Sequence, residues 1–304
     1  MPSAPAAEEP DDRRTDPPAA PSRTGQGVAG WRARLDRPCS PDGDPGAQSA
    51  LCAGLRPPGT DTEHARTLYA HVAARTRFID DQVLRAVGGA FDQVVVLGAG
   101  YDDRALRFRA PGLRFFELDL PTTQSDKRRR LEAMGVDPDD PGGPTLAPVD
   151  FRHDDVAAAL EAVGHRADRS SLFVCEGLFV YLDEEAVVGL LVRLRARAGP
   201  GSALVATLAV HSDGLDPEVV RERANAARPD AGAEPWRTIL PPARHRGLLE
   251  RAGWSVGSSV DDADIGTGAV PGRSLLVLAR PAGPPGPTGD RATLVRNPLF
   301  ATEE

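Results

Sequence analysis

The chain of 304 residues is 40% hydrophobic and 26% charged, with a formal charge of −8, and its length allows one sizeable core. The negative charge opposes a nucleic-acid backbone over most of the surface, and no window offers the roughly 20 apolar residues of a membrane helix. The three cysteines, Cys39, Cys52 and Cys175, form no C-x-x-C or Cys/His cluster, so neither a disulfide framework nor a metal site is expected.

Met1 to Asp16 is acidic and rich in Pro and Ala rather than basic then apolar, which opposes secretion and fits a reducing cytoplasm. Residues 1–45 hold few large apolar groups and are expected to be largely disordered. A helical segment over 46–90 follows, in which Leu68, Val72, Phe78, Ile79, Val83 and Leu84 recur at helical spacing and predict one or two amphipathic helices between Thr62 and Val87. Val94 to Leu97 then reads as a buried strand that stops at Gly98-Ala99-Gly100, with a helix through about Arg109. The alternation continues with strand 113–119 and helix 122–134, strand 145–150 and helix 154–163, strand 172–176 and helix 183–198, and strand 202–208. Parallel neighbours need covering crossovers, so this order predicts the doubly wound α/β class. Residues 211–240 turn polar and read as an insertion with a short helix. Helix 242–252 and strands 254–259 and 274–279 close a domain over 91–280, the last two strands as an antiparallel hairpin on an otherwise parallel, seven-stranded sheet. A Gly/Pro-rich tail occupies 281–304. The basic run Lys127 to Arg130 reads as a solvated helix face rather than a nucleic-acid site.

The chemistry is expected at the carboxyl ends of the strands, where ligands of such sheets bind. Gly98 and Gly100 let backbone N–H groups approach a ligand closely. Asp103 stands where a dinucleotide fingerprint wants its third glycine, and with Asp102 it would repel a pyrophosphate. Nineteen residues beyond Gly100, Asp119 ends the second strand and can accept ribose hydroxyls; Glu117 shares its face and is the alternative. Asp150 and Phe151 end the third strand, as an adenine acid and a ring partner or, alternatively, as an N-cap arrangement with Asp154. Glu176 follows an apolar strand directly and needs a partner or a cationic ligand. Tyr181 is a candidate substrate contact beside a simpler reading as a packed aromatic. Arg75 and Arg77 each offer a clamp for a carboxylate.

Taken in order, Ala74-Arg75-Thr76-Arg77-Phe78-Ile79-Asp80-Asp81, Leu97-Gly98-Ala99-Gly100-Tyr101-Asp102-Asp103-Arg104, Phe116-Glu117-Leu118-Asp119-Leu120-Pro121, Lys127, Val149-Asp150-Phe151-Arg152, Cys175-Glu176-Gly177 and Tyr181-Leu182 resemble the leucine carboxyl methyltransferase-like family. That family includes bacterial polyketide O- and carboxyl methyltransferases of the tetracenomycin type. The resemblance runs from about Arg66 to Arg280 and departs from the family pattern at Asp103, usually Thr, and around Ala47 to Thr60. It implies a Rossmann-like class I methyltransferase, with N-terminal helices and a lid insertion, that uses S-adenosyl-L-methionine. Arg75 would hold the methionine carboxylate, Gly98 would lie against the cofactor, Asp119 would take the ribose, Asp150 and Phe151 would reach the adenine, and Glu176 would contact the methionine end. The expected acceptor is a small acidic metabolite, with a protein C-terminal carboxylate as the alternative within the family.

Methyl transfer from a sulfonium is an in-line displacement that mainly needs alignment. A carboxylate acceptor, pKa about 4, needs no base, whereas a phenol, pKa about 10, wants one, and His211, His245 or His153 could serve. The 211–237 insertion is expected to supply Trp236 and Arg221 or Arg237 to a substrate carboxylate, or else to be a plain solvated helix. Two rivals are a nicotinamide-dependent dehydrogenase, disfavoured by the missing glycine and the closing hairpin, and a cofactor-binding protein that transfers nothing.

Overall fold

A computed structural model describes residues 20–55, 62–137, 140, 142–212, 214–227, 234–261 and 274–283. Its elements in chain order are α1 (Arg23–Arg32), α2 (Ala47–Leu51), α3 (Glu63–Arg85), β1 (Gln93–Leu97), α4 (Arg104–Arg107), β2 (Arg114–Asp119), α5 (Pro121–Ala133), β3 (Pro144–Pro148), α6 (Val156–Ala162), β4 (Ser171–Cys175), α7 (Glu184–Ala196), β5 (Ala203–Ala209), α8 (Pro217–Ala226), α9 (Pro242–Arg251), β6 (Trp254–Asp261) and β7 (Ser274–Pro281).

Seven strands form one sheet in the order β3-β2-β1-β4-β5-β7-β6. The first five are parallel, while β7 runs antiparallel to both β5 and β6. The sheet is covered on both faces, which is why its central strands read as unbroken apolar runs. Val95, Phe173, Leu204 and Ala206 pack on one side against α6, α7 and α9. Val94, Val96, Val174 and Val205 pack on the other against Ile79 and Val83 of α3. The amphipathic stretch after Thr62 is a single helix, opened by the Thr62 side chain accepting from Ala65 N–H, as an N-cap does.

The N-terminal expectation needs correction. Residues 1–19 lie outside the described residues, but 20–45 adopt defined structure, with α1 burying Ala29 and Trp31. What low apolar content failed to signal is ionic anchoring: Arg32 and Arg37 are buried against acids of the main domain. The basic run 127–130 is corrected too, because Lys127 is buried rather than solvated. Of the C-terminal tail, only 281–283 fall among the described residues.

Candidate functional site

The site is built where β1, β2 and β4 end together. Leaving β1, the chain turns through Gly98 (φ +67°) and Gly100 (φ +50°), a left-handed conformation costly for side chains with a Cβ. Gly98 and Ala99 donate to the Leu118 carbonyl at 2.8 and 3.0 Å. Gly100 N–H donates to Asp119 Oδ2 at 2.6 Å, and Leu120 N–H to Oδ1 at 2.7 Å. Asp119 therefore anchors the turn. Each of its oxygens receives one protein donor and retains capacity for a second. Burial raises its pKa to about 6, with the two N–H groups holding it back.

Glu117 is the alternative that the structure separates from Asp119. It is fully buried, paired with Lys127, and pushed up to about 7 by burial against the opposing pull of that ammonium. Lys127 also donates to the Asp102 carbonyl at 2.7 Å, so this pair supports the turn from beneath.

Glu176, just past β4, accepts from three guanidiniums: Arg32 at 2.7 Å and Arg104 at 2.8 Å on Oε2, and Arg75 at 2.9 Å on Oε1. Burial alone would raise its pKa; the arginines outweigh burial and hold the carboxyl well below its usual range. Behind it, Arg104 also reaches Asp80 and Asp102, Arg37 reaches Asp80 and Asp103, and Arg107 reaches Asp103. The acidity of the turn is thus neutralised: Asp102 and Asp103 are structural anchors rather than a repulsive lining. Five guanidiniums (Arg32, Arg37, Arg75, Arg104, Arg107) face four carboxylates (Asp80, Asp102, Asp103, Glu176), leaving one positive charge over.

The two arginines that sequence left equal are distinguished. Arg77 is exposed, whereas Arg75 donates Nε to Glu176 and turns its Nη atoms towards Gly177, where an added Cβ would lie 3.5 and 3.6 Å from them. Tyr181 is half-buried and near enough to act on the charge of Arg75. Asp150 is held by Arg152 through Nε and Nη2 at 3.1 and 2.9 Å, and its own N–H donates to Asp154 Oδ2. The N-cap of α6 is Asp155, not Asp154. Phe151 is buried in the core on the α6 side.

Above the turn lies α1, its Gly25 Cα only 3.6 Å from where a Gly100 Cβ would sit. Sequence reasoning missed α1, Arg32, Arg37 and the role of Asp80 and Arg104, although Asp80 and Arg104 lie inside the motifs beside Arg75 and Gly100. From the insertion, Arg237 and Thr238 donate to the Val180 carbonyl at 2.7 and 3.2 Å. Trp236 is clasped at both backbone atoms by Asn225 of α8. Arg237 is exposed and Arg221 pairs with Glu218 within α8. His153 is exposed; His211 and His245 are buried. Among the described residues, no group of three or more His, Cys, Asp or Glu is placed to hold a metal, and no helix is long and apolar enough to cross a membrane.

A glycine turn tied to an acid at the end of the next strand, on a sheet closed by an antiparallel hairpin, defines a class I methyltransferase domain. The profile of the leucine carboxyl methyltransferase family matches residues 46–195. A protein of Frankia alni, named for S-adenosyl-L-methionine-dependent methyl transfer, is 36% identical over 230 residues, covering 69% of this chain and 74% of its own. The chain belongs to this family of S-adenosyl-L-methionine-dependent methyltransferases. A similarly named Mycobacterium protein (strain JLS) is 39% identical over 158 residues, 52% of this chain and 50% of its own, so the chain spans about half the length of that relative. A methyltransferase structure from Thermobifida fusca superposes with a TM-score of 0.54 at 17% identity, covering 89% of this chain and all of that one.

Proposed function

We propose that this chain transfers the methyl group of S-adenosyl-L-methionine to an oxygen of a small molecule. The carrying observation is the convergence of Arg32, Arg104 and the partly exposed Arg75 on Glu176, beside a turn anchored by Asp119. Buried ionic groups need complementary partners, and the cofactor's zwitterionic amino-acid end offers a carboxylate for Arg75 and an ammonium for Glu176. Asp119, with an acceptor site left on each oxygen, suits the ribose hydroxyls, and Gly98 is assigned to the cofactor side once the Leu178 side chain, 3.2 Å from where a Gly98 Cβ would sit, gives way. Asp150 and Phe151 are assigned to the adenine side, Asp150 after exchanging part of its hold on Arg152. When bound, the sulfonium supplies an activated methyl group; the chain's residues orient it and exclude water. The expected setting is cytoplasmic and the expected acceptor a polyketide-type or similar secondary metabolite, in keeping with the family resemblance.

Calorimetric titration with S-adenosyl-L-methionine and with S-adenosylhomocysteine tests this reading. Binding of both that is lost in Asp119→Ala supports it. A wild-type protein that binds neither refutes it, and one that binds both yet methylates no acceptor would instead be a cofactor-binding protein.

A further inference from the structure

We propose that residues 22–35, with α1 at their centre, form a strap that swings off the site to admit and release the cofactor and latches over it in between. This rests on the methyl-transfer reading and goes beyond it by assigning the cofactor's route.

The residues given to the cofactor lie covered. The Glu176 side chain is 3% exposed and Asp119 is buried, so an ammonium and a ribose reach them only when something moves. The strands leading to them, β2 and β4, are interior members of the sheet and stay in place. Much of the cover is α1. A Cβ at Gly25 would lie 3.7 Å from Gly100 Cα, and Arg32 donates to Glu176 at 2.7 Å and to Asp102 at 3.2 Å. Gln26 Nε2 donates to the Tyr101 hydroxyl at 3.4 Å, and Ser22 N–H to Thr123 Oγ1 of α5 at 3.3 Å. The strap thus touches the segments after β1, β2 and β4 at once.

Its attachment differs from that of the chain that follows. Among the described residues, no backbone–backbone hydrogen bond joins 22–35 to the rest of the domain. Downstream, Ser40 N–H donates to the Arg107 carbonyl at 3.1 Å and Asp44 N–H to the Leu106 carbonyl at 3.0 Å, and Arg37 is clamped by Asp80 and Asp103. The hinge therefore falls at Asp36, which is exposed.

Leaving the site also costs the strap little. Its buried apolar side chains are Ala29 and Trp31, and neither belongs to the layers that cover the sheet. Trp31 Nε1 and Arg32 Nε are buried without a hydrogen-bond partner among the described residues, a penalty that release to water removes. When Arg32 departs, Asp102 and Glu176 each keep Arg104. The acids at the turn stay paired in both positions, as a two-state element requires.

A lock on the strap tests this. The contact between Ser22 N–H and Thr123 Oγ1 marks that pair for Ser22→Cys with Thr123→Cys, a disulfide bridging Cα atoms about 4.4–6.8 Å apart. If a minor open state of about 0.1–10% carries all traffic, oxidation should slow both association and release of labelled S-adenosylhomocysteine by at least about tenfold. Kd should stay within about threefold, and reduction should restore the rates. In the wild type, a detached helix as short as α1 is marginal in water, so amide exchange over 23–35 should slow when S-adenosylhomocysteine saturates the protein. Oxidised and reduced forms with equal rates, faster release after oxidation, or wild-type exchange over 23–35 indifferent to the ligand overturns the strap while leaving methyl transfer standing. A wild-type protein that binds neither cofactor form removes both.

Discussion

Replacing Glu176 by Gln keeps the shape of the side chain and deletes the charge on which Arg32, Arg75 and Arg104 converge. The surplus around the site then rises from one positive charge to two, with Arg32 and Arg104 buried and Arg75 partly exposed. Removing one partner of a buried ionic cluster costs about 3–5 kcal/mol. At about 2–4 °C per kcal/mol for a large domain, the melting temperature should fall by roughly 6–20 °C. Thermal unfolding followed by circular dichroism at pH 7 measures it. The sign with pH follows from the depressed folded pKa of Glu176. Its contribution is fully present above the unfolded value of about 4.3 and is lost as pH falls towards the folded one, so the gap between wild type and variant should close below about pH 4. A shift under about 2 °C at pH 7, or a gap independent of pH, would refute the view of Glu176 as the ionic centre of the site.

Three further outcomes are expected. Because burial raises Asp119 to about 6 and a ribose hydroxyl donates to the ionised form, the affinity for S-adenosylhomocysteine should weaken about tenfold per pH unit below 6, and Asp119→Asn should flatten that slope in calorimetry. Arg75→Met should weaken the same binding about 10- to 150-fold, the equivalent of 1.5–3 kcal/mol for a charged hydrogen bond, whereas Arg77→Met should leave it unchanged; equal losses would contradict the geometry. A Cβ at Gly43 would collide with the Arg107 carbonyl, so Gly43→Ala should lower the melting temperature by several degrees, in line with an overpacking cost of about 1–3 kcal/mol, and speed amide exchange over residues 37–45. Unaltered exchange there would mean that the segment is not docked on α4.

The sheet was legible because its signal is periodic. Buried strands such as Val94 to Leu97 end at turn glycines, helices follow, and the closing strands pair antiparallel. The site's acids were legible for a related reason, since Asp119 and Glu176 stand directly after apolar strands, where a charge must have a purpose. Reasoning by apolar content failed at the N-terminus, where Arg32 and Arg37 are held by carboxylates distant in sequence. Lys127 was hidden in a run of like charges; only the fold shows it turned inwards to Glu117. Arg75 and Arg77 could not be separated because helix phase two residues apart says which faces inwards only once the packed face is known.

The dependence of the site on its N-terminal segment bears on how the domain is cut. A fragment starting at residue 46, where the family profile begins, would keep every strand and both faces of the core. It would also strip Arg32 and Arg37 away, leaving Arg75, Arg104 and Arg107 against Asp80, Asp102, Asp103 and Glu176. The balance among these groups would invert from one positive charge in excess to one negative, and under the proposed function Arg75 would then meet the cofactor's carboxylate in a more acidic surround. The segment that least resembles folded protein by composition thus sets the sign of the ionic cluster beside the Gly98–Gly100 turn.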